Sequence, residues 1–202
     1  MNKPNQPRRS IAKFIQLGLL SLLLLAGCAG KPASAAGSET DGGNSNPPAP
    51  GYLSLYEGLH VTGTPVDVDI ATFRLKVEGA IERPLSLSFE ELRGLPAVHE
   101  EIVLECPGFF VDRGVWTGVP VRELLARAGV RPGAKRVVFT SLDGGYTQSL
   151  SMGELRDDGT LIAYEFDGKV FPRVHGFPAR LTAKGKPGSY WVKWLGSIRV
   201  ED

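Results

Sequence analysis

An apolar segment near the N-terminus restricts the part of this chain that can fold into a domain. The segment covers residues 14–26, and no acidic residue occurs before Cys28. The basic residues ahead of it are Lys3, Arg8, Arg9 and Lys13. A basic head followed by an apolar stretch of this length is typical of a secretory signal rather than a membrane span. We therefore predict a signal peptide over residues 1–27.

The first cysteine follows this segment directly. Leu25-Ala26-Gly27-Cys28 matches the lipobox of bacterial lipoproteins, in which cleavage precedes the cysteine and its sulfur carries a diacylglycerol. The sequence thus predicts lipidation at Cys28 and an exported protein anchored to the cell membrane on its periplasmic or extracytoplasmic face; an uncleaved anchor is the alternative. Arg8-Arg9-Ser10-Ile11-Ala12-Lys13 resembles a twin-arginine signal, which exports folded proteins. The standard secretion route stays open beside it.

The next segment offers almost nothing to a hydrophobic core. Residues 28–51, which begin with the lipidated Cys28, are mostly Ala, Gly, Ser, Pro and Asn, so they are predicted to form a flexible tether. Residues 52–202 then form one domain of ordinary size. Without the four basic residues of the signal peptide, 19 basic residues remain against 22 acidic ones. This balance gives no basic patch for nucleic acid, so we expect no nucleic-acid partner.

Short elements with many turns dominate the remaining part of the sequence. The 25 glycines and 15 prolines favour a strand-rich fold over a helical bundle. Strands are predicted at residues 72–77, 85–87, 102–105, 136–140, 179–182 and 191–200, with a hairpin over 161–171. Ser88 and Glu91 predict a capping box at the start of a short helix. A second helix is predicted over residues 119–128, ended by Gly129. These elements predict a mixed α+β fold without regular βαβ alternation.

The second cysteine is the residue that points to chemistry. Once Cys28 is lipidated, Cys106 has no intrachain disulfide partner, and a free thiol in an exported protein is a liability unless it is buried or used. Cys106 follows a predicted strand directly, a position from which side chains are often presented to ligands. A thiolate is a soft donor that suits a transition metal. By its own context, however, Cys106 is better explained as a buried structural cysteine.

A resemblance to a known family changes the interpretation of Cys106. The matching blocks occur in the family's order: residues 73–79, Leu104-Glu105-Cys106-Pro107-Gly108, Trp116-Thr117-Gly118-Val119-Pro120-Val121, residues 139–146, residues 161–165, His175-Gly176-Phe177-Pro178-Ala179-Arg180-Leu181 and Val192-Lys193-Trp194-Leu195. Together they resemble the molybdopterin-binding domain of the sulfite oxidase family over residues 52–202. The resemblance implies the strand-rich α+β fold of that domain and Mo-molybdopterin as the cofactor.

The resemblance also implies roles for individual residues. Cys106 would ligate molybdenum and be the catalytic residue, with two more sulfurs coming from the pterin dithiolene. The other implied cofactor contacts are His60, Asp143, His175, Arg180 and the segment Trp191, Val192 and Lys193. Arg180 and Lys193 suit the pterin phosphate, and Asp143 and His175 suit hydrogen bonds to the ring system. Taken one by one, each also fits an ordinary structural role. Trp116 and Trp194 are expected in the core.

The sequence departs from the family at points that bear on substrate. The aromatic-x-Arg-Asn-His element of sulfite oxidases corresponds here to Tyr56-Glu57-Gly58-Leu59-His60, in which Gly58 and Leu59 replace the Arg and Asn. Because that Arg helps to bind an anionic substrate, sulfite is not expected. Tyr190 stands where a basic residue is common, and Lys184 or Lys186 could restore its charge. The chain ends at Asp202, before the second domain of sulfite oxidases.

These observations predict an oxidoreductase that performs two-electron redox chemistry or oxygen-atom transfer on a small-molecule substrate. A separate electron-transfer partner, a cytochrome or a quinone-linked membrane protein, is expected because no haem-binding element is visible. The alternative is a non-catalytic binding module that keeps the fold without the molybdenum cofactor. A third reading, a Cys–His hydrolase, requires His60, His99 or His175 beside Cys106.

Overall fold

The computed structural model describes residues 54–156 and 159–202. The predictions of a signal peptide at residues 1–27, of lipidation at Cys28 and of a tether over residues 28–51 lie outside the described residues. Within the described ranges, every helix falls short of the length and apolar character that crossing a bilayer requires.

Short strands make up most of the described chain. They are β1 Leu55–Tyr56, β2 Leu59–His60, β3 Leu75–Gly79, β4 Leu85–Leu87, β5 Val98–Cys106, β6 Phe110–Pro120, β7 Arg136–Ser141, β8 Thr147–Ser151, β9 Leu161–Phe166, β10 Lys169–Val170, β11 Arg180–Leu181 and β12 Leu195–Glu201. The α-helices are α1 Phe89–Arg93 and α2 Val121–Ala128. Short 3-10 helices lie at Glu154–Arg156, Arg173–His175 and Gly188–Tyr190.

The strands form two larger sheets and one small hairpin. One sheet has the order β4-β3-β12-β7-β8, in which β12 is parallel to β3 and the other pairs are antiparallel. The second has the order β10-β9-β6-β5, entirely antiparallel, with β11 added to β9. β1 and β2 pair with each other. This arrangement confirms the predicted mixed, strand-rich α+β fold.

Local sequence signals explain both helices. Ser88 accepts a hydrogen bond from the Glu91 amide, and the Glu91 carboxylate accepts one from the Ser88 amide, which confirms the capping box. In α2 the apolar side chains recur at helical spacing and all of them are buried: Val121, Leu124, Leu125 and Ala128. Gly129 ends this helix in the left-handed conformation, as predicted. The helix begins at Val121 rather than at residue 119, because residues 119 and 120 complete β6.

Several predicted strand boundaries were wrong. The strand expected over residues 72–77 is Leu75–Gly79, and the one expected over 102–105 is the middle of Val98–Cys106. Only Arg180–Leu181 of residues 179–182 is paired as a strand. The strand expected over residues 191–200 begins at Leu195, because Trp194 takes a positive φ of 52° that interrupts extended backbone.

Four of the described strands were not predicted at all: β1 and β2 of the small hairpin, and the longer strands β6 and β8. β6, the longest of the described strands, contains Asp112, Arg113 and Gly114, which interrupt its apolar alternation. β8 is almost entirely polar. Both are nevertheless held along their length by neighbours, β6 by β5 and β9 and β8 by β7. Pairing in the sheet overrides the weak local preference in each case.

Gly79 and Gly133 have nearly the same positive φ, and replacing each of them by alanine tests the close packing of β3 against β12. Gly79 has φ +97° and Gly133 has φ +100°, but a Cβ at Gly79 would lie 2.1 Å from the Val200 carbonyl oxygen, whereas a Cβ at Gly133 meets nothing within 4 Å. We expect Gly133→Ala to lower the free energy of unfolding by about 1–2 kcal/mol from backbone strain. Gly79→Ala should lose about 1–3 kcal/mol more from overpacking. Urea unfolding measures both, and equal losses would contradict the register of β3 and β12.

Candidate cofactor site

The two larger sheets and the loops around them enclose a cavity of about 410 Å³. Six of the eight residues predicted as cofactor contacts lie on its wall: His60, Cys106, Asp143, Arg180, Trp191 and Lys193. They come from five separate places in the sequence, which only the fold brings together. The structure therefore places the predicted thiol, the two predicted phosphate-binding cations and His60 of the altered aromatic-x-x-x-His element at one site, while Tyr56 of that element lines another cavity.

Cys106 ends β5 and faces a tightly packed loop. Its thiol is free and partly buried. A bridge between Glu105 and Pro187 brings this loop alongside, and a Cβ on Gly188 would lie only 2.3 Å from Sγ, so only glycine fits there. Burial and the nearby Asp112 carboxylate raise the pKa of the Cys106 thiol, while the Gly188 amide and two cations partly offset this.

Arg180 carries a buried positive charge at the floor of the cavity. Its side chain is 3% exposed, and its guanidinium lies over the rings of Trp116 and Trp191, 5.1 and 5.5 Å from their centroids. One terminal nitrogen donates to the His175 carbonyl at 3.1 Å, while buried Nε has no hydrogen-bond partner. Burial lowers the Arg180 pKa to about 10, so the group stays charged at neutral pH.

Lys193 adds a second cation on the same wall. Its Nζ donates to the Thr62 and Val174 carbonyls at 2.8 and 3.0 Å. Burial, and then repulsion from Arg180, lowers the Lys193 pKa to about 7. Within the described ranges, neither Lys193 nor Arg180 has a carboxylate within ion-pair distance. Among the described residues, the positive charges of Arg180 and Lys193 on the cavity wall are thus not paired directly with a carboxylate.

The tryptophans divide between core and cavity. Trp116 is fully buried in the core, as expected. Trp191 is buried and donates from Nε1 to the Ala183 carbonyl at 3.1 Å, yet it also lines the cavity. Trp194 is 8% exposed and lines the cavity as well, with Lys193 Nζ 5.6 Å from its ring centroid. Trp194 is therefore buried, as expected, but it also forms part of the cavity wall.

Two of the predicted contacts do not reach the cavity wall. Val192 is fully buried, and its carbonyl accepts a hydrogen bond from the Leu181 amide at 2.8 Å. His175 lines a different cavity of about 350 Å³, and its Nε2 hydrogen-bonds the Tyr56 carbonyl at 2.8 Å. Burial lowers the His175 pKa to about 4, so its ring is neutral at neutral pH, and its buried Nδ1 has no partner. His175 is linked to the first cavity through its main-chain carbonyl, which accepts the hydrogen bond from Arg180.

Asp143 lies on the rim of the cavity, whereas the lysines of the 184–188 loop do not line it. The Ser141 hydroxyl donates to Asp143 at 2.5 Å and lowers the pKa of that exposed carboxyl group. Lys184 pairs with Glu100 and Lys186 with Glu154, and neither lysine lines the cavity. Lys186 Nζ nevertheless lies 5.4 Å from the centroid of the Tyr190 ring, so a basic group does stand beside Tyr190.

Sequence reasoning missed several residues in and around the site, among them Asp112, Gly188 and Tyr146. Asp112 lies 3% exposed behind His60, Gly188 packs on Cys106, and the Tyr146 hydroxyl donates to the Ser189 carbonyl at 2.6 Å. A carboxylate in the middle of an apolar strand was the available signal for Asp112, but β6 itself was not predicted. Where the structure describes the chain, no histidine hydrogen-bonds Cys106, so nothing in it supports the Cys–His hydrolase reading. The same residues contain no cluster of three or more His, Cys, Asp or Glu arranged as metal ligands.

Comparison with known proteins shows the family of the chain. Residues 61–202 match the family described as the oxidoreductase molybdopterin binding domain. Mitochondrial sulfite oxidase of Macaca fascicularis is 30% identical over 164 residues, covering 67% of this chain and 30% of that protein. The uncharacterized oxidoreductase YuiH of Bacillus subtilis is 27% identical, covering 80% of this chain and 81% of that protein.

A solved structure shows the same fold. The sulfane dehydrogenase SoxCD of Paracoccus pantotrophus superimposes with a TM-score of 0.65 and 28% identity, over 68% of this chain and 40% of that chain. The chain belongs to the oxidoreductase molybdopterin-binding domain family, of the sulfite oxidase type, and Mo-molybdopterin is the cofactor that this family implies. It spans 30% of the length of the mitochondrial sulfite oxidases that it matches.

The contact of Gly188 with Cys106 gives a direct test of the site. Gly188→Ala should push the loop away from Sγ, lower the free energy of unfolding by about 1–3 kcal/mol and speed alkylation of Cys106. Gly153→Ala is the matched control, because a Cβ there meets its nearest atom at 3.8 Å. Mass spectrometry of the alkylated Cys106 peptide reads the rate. Unchanged alkylation in Gly188→Ala would contradict the close packing.

Proposed function

We propose that this protein is a molybdenum–pterin-dependent oxidoreductase that acts on a small substrate by two-electron redox chemistry or oxygen-atom transfer, with Cys106 as the metal ligand. The observation that carries the proposal is the meeting of one free thiol and two buried cations, Arg180 and Lys193, on the wall of a single cavity. The family supplies the class of cofactor, and this geometry supplies residues that fit it.

The donor set suits the two ends of such a cofactor. Cys106 offers a soft sulfur at one place on the wall, as a molybdenum centre requires. Arg180 has a buried Nε–H without a protein acceptor, and Lys193 uses its Nζ on two carbonyls only, so each has a donor free for an anion. An anionic phosphate would supply the acceptors that these buried donors lack. The residues present therefore fit the group.

The bound group would supply two-electron chemistry between Mo(VI) and Mo(IV) and oxygen-atom exchange with the substrate. The chain's own contribution is binding and orientation. The Gly188 amide is close enough to Cys106 to lower the pKa of its thiol, so it stabilises the thiolate that a metal needs. Trp116 and Trp191 fix the Arg180 guanidinium plane and keep water from it.

The replaced residues near His60 shape the proposed substrate preference. Gly58 and Leu59 leave no cation in the element that carries Arg in sulfite oxidases, and Lys184 and Lys186 are paired elsewhere. With its two cavity cations assigned to the cofactor, the site has none left for a sulfite-like anion. We therefore place sulfite outside the preferred substrates.

Location and electron supply complete the proposal. The Leu25-Ala26-Gly27-Cys28 element supports export and a lipid anchor at the membrane surface. An anchored domain would exchange electrons with a separate cytochrome or quinone-linked membrane protein. Labelling Cys28 with a radioactive fatty acid in the native host would test the anchor without reference to the activity.

Metal analysis tests the proposed function. The full chain, expressed in a host that makes the molybdenum cofactor, should purify with molybdenum and pterin, and Cys106→Ser should lose the metal while keeping its circular dichroism spectrum. Lys193→Met should reduce molybdenum occupancy about tenfold or more, the loss expected when a buried charge-assisted hydrogen bond is removed.

Lys186→Met is the matched control for Lys193→Met, because Lys186 is a lysine near the site whose side chain pairs with Glu154 outside the cavity. It should keep the molybdenum content of the unaltered chain. A folded chain with neither molybdenum nor pterin would overturn the enzyme and leave the non-catalytic binding module.

A further inference from the structure

His60 and Asp112 form a two-point clamp at the edge of the cavity. The main-chain amide of His60 donates to Asp112 Oδ2 at 2.8 Å, and the ring nitrogen Nδ1 lies 2.6 Å from Oδ1 of the same carboxylate. Phe110 stacks on the imidazole with a centroid distance of 4.4 Å and an interplanar angle of 17°. Asp112 and Phe110 are both on β6, so one strand fixes the position and the plane of the ring.

The clamp also selects the tautomer. Both carboxylate oxygens of Asp112 act as acceptors, so Nδ1 must carry the hydrogen in the neutral ring. Nε2, on the opposite side of the ring, is then left with a lone pair. Among the described residues Nε2 has no protein partner, and His60 lines the same cavity as Cys106, so Nε2 opens toward that cavity.

The charge of Asp112 also acts on the two cations of the cavity. Asp112 is a buried carboxylate whose field raises the pKa values of both Arg180 and Lys193, against the effect of their burial. It therefore balances the two cations without pairing directly with either. One side chain thus supports both the cationic part of the cavity and the orientation of His60.

We propose that Asp112 is a positioning residue that fixes His60 as a hydrogen-bond acceptor, with Nε2 presented to the group that reacts beside Cys106. The cavity then accepts a hydrogen bond at the corner that His60 forms, whereas Leu59 beside it lines the other cavity. The ligand that this corner selects is a neutral group with an N–H or O–H donor. The inference rests on the proposed function for the identity of the reacting group, but its geometry does not depend on molybdenum.

Asp112→Asn gives an unusual test because the two hydrogen bonds compete. The His60 main-chain amide needs an oxygen opposite it, which forces the new NH₂ group toward Nδ1. Nδ1 must then become the acceptor, and the hydrogen moves to Nε2. The same substitution of an aspartate that holds a catalytic histidine is known to leave the geometry intact and give the wrong tautomer.

The experiment reads the histidine tautomers by ¹H–¹⁵N NMR in the full chain, labelled with ¹⁵N-histidine and made in a host without the molybdenum cofactor. Only three histidines are present, so His60→Gln assigns the signal. Spectra are recorded at about pH 9, above the usual range of imidazole titration. We expect Nδ1–H in the unaltered chain and Nε2–H in Asp112→Asn. Asp143→Asn, a matched change on the same cavity wall, should keep Nδ1–H.

The unaltered chain decides the question even if Asp112→Asn does not fold, because Nε2–H in its His60 would overturn the proposal. A folded Asp112→Asn that keeps Nδ1–H would overturn it too. Neither result depends on cofactor loading, so failure here is distinguishable from failure of the proposed function. In the loaded protein, Asp112→Asn should change the pH profile of turnover more than Asp69→Asn, a change at an exposed aspartate outside the cavity, and equal profiles would contradict the positioning role.

Discussion

The burial of the Arg180 guanidinium is the constraint on which the site depends. Moving such a charge out of water costs several kcal/mol in a folded protein unless it is paired. This chain offsets the cost through the adjacent rings of Trp116 and Trp191, the His175 carbonyl and the field of Asp112, yet leaves Nε without an acceptor. Lys193 repeats the pattern with a pKa lowered to about 7. Two desolvated cations beside a thiol are costly to keep unless an anion binds there.

The fold holds these groups by joining distant parts of the chain. The β5–β6 hairpin brings Cys106 and Asp112 to one side of the cavity, while β11 and the segment before β12 supply Arg180 and Lys193. Gly188 connects the two sides, because its loop packs directly on the Cys106 sulfur. Hydrogen bonds from Trp191 and Tyr146 hold that loop in place. The position of the Cys106 thiol is therefore set by the packing of this loop as much as by β5.

Local signals in the sequence predicted the helices and most strands, because capping by Ser88, the spacing in α2 and the turn at Gly129 act within a few residues. They could not predict β6, since its polar centre is stabilised by pairing with strands far away in sequence. The same difference between local signals and tertiary contacts holds for the site. Family blocks pointed to Cys106, Arg180 and Lys193, but the Asp112 clamp and the position of His175 depend on tertiary contacts that no local pattern contains.

The number of sulfur atoms bound to molybdenum tests the central claim most directly. X-ray absorption at the molybdenum edge of the loaded protein counts these neighbours without a known substrate. A dithiolene contributes two sulfurs, and Cys106 adds a third if it is the protein ligand. We predict three sulfur neighbours per molybdenum. Two sulfur neighbours would contradict the account, because Cys106 would then not bind the metal.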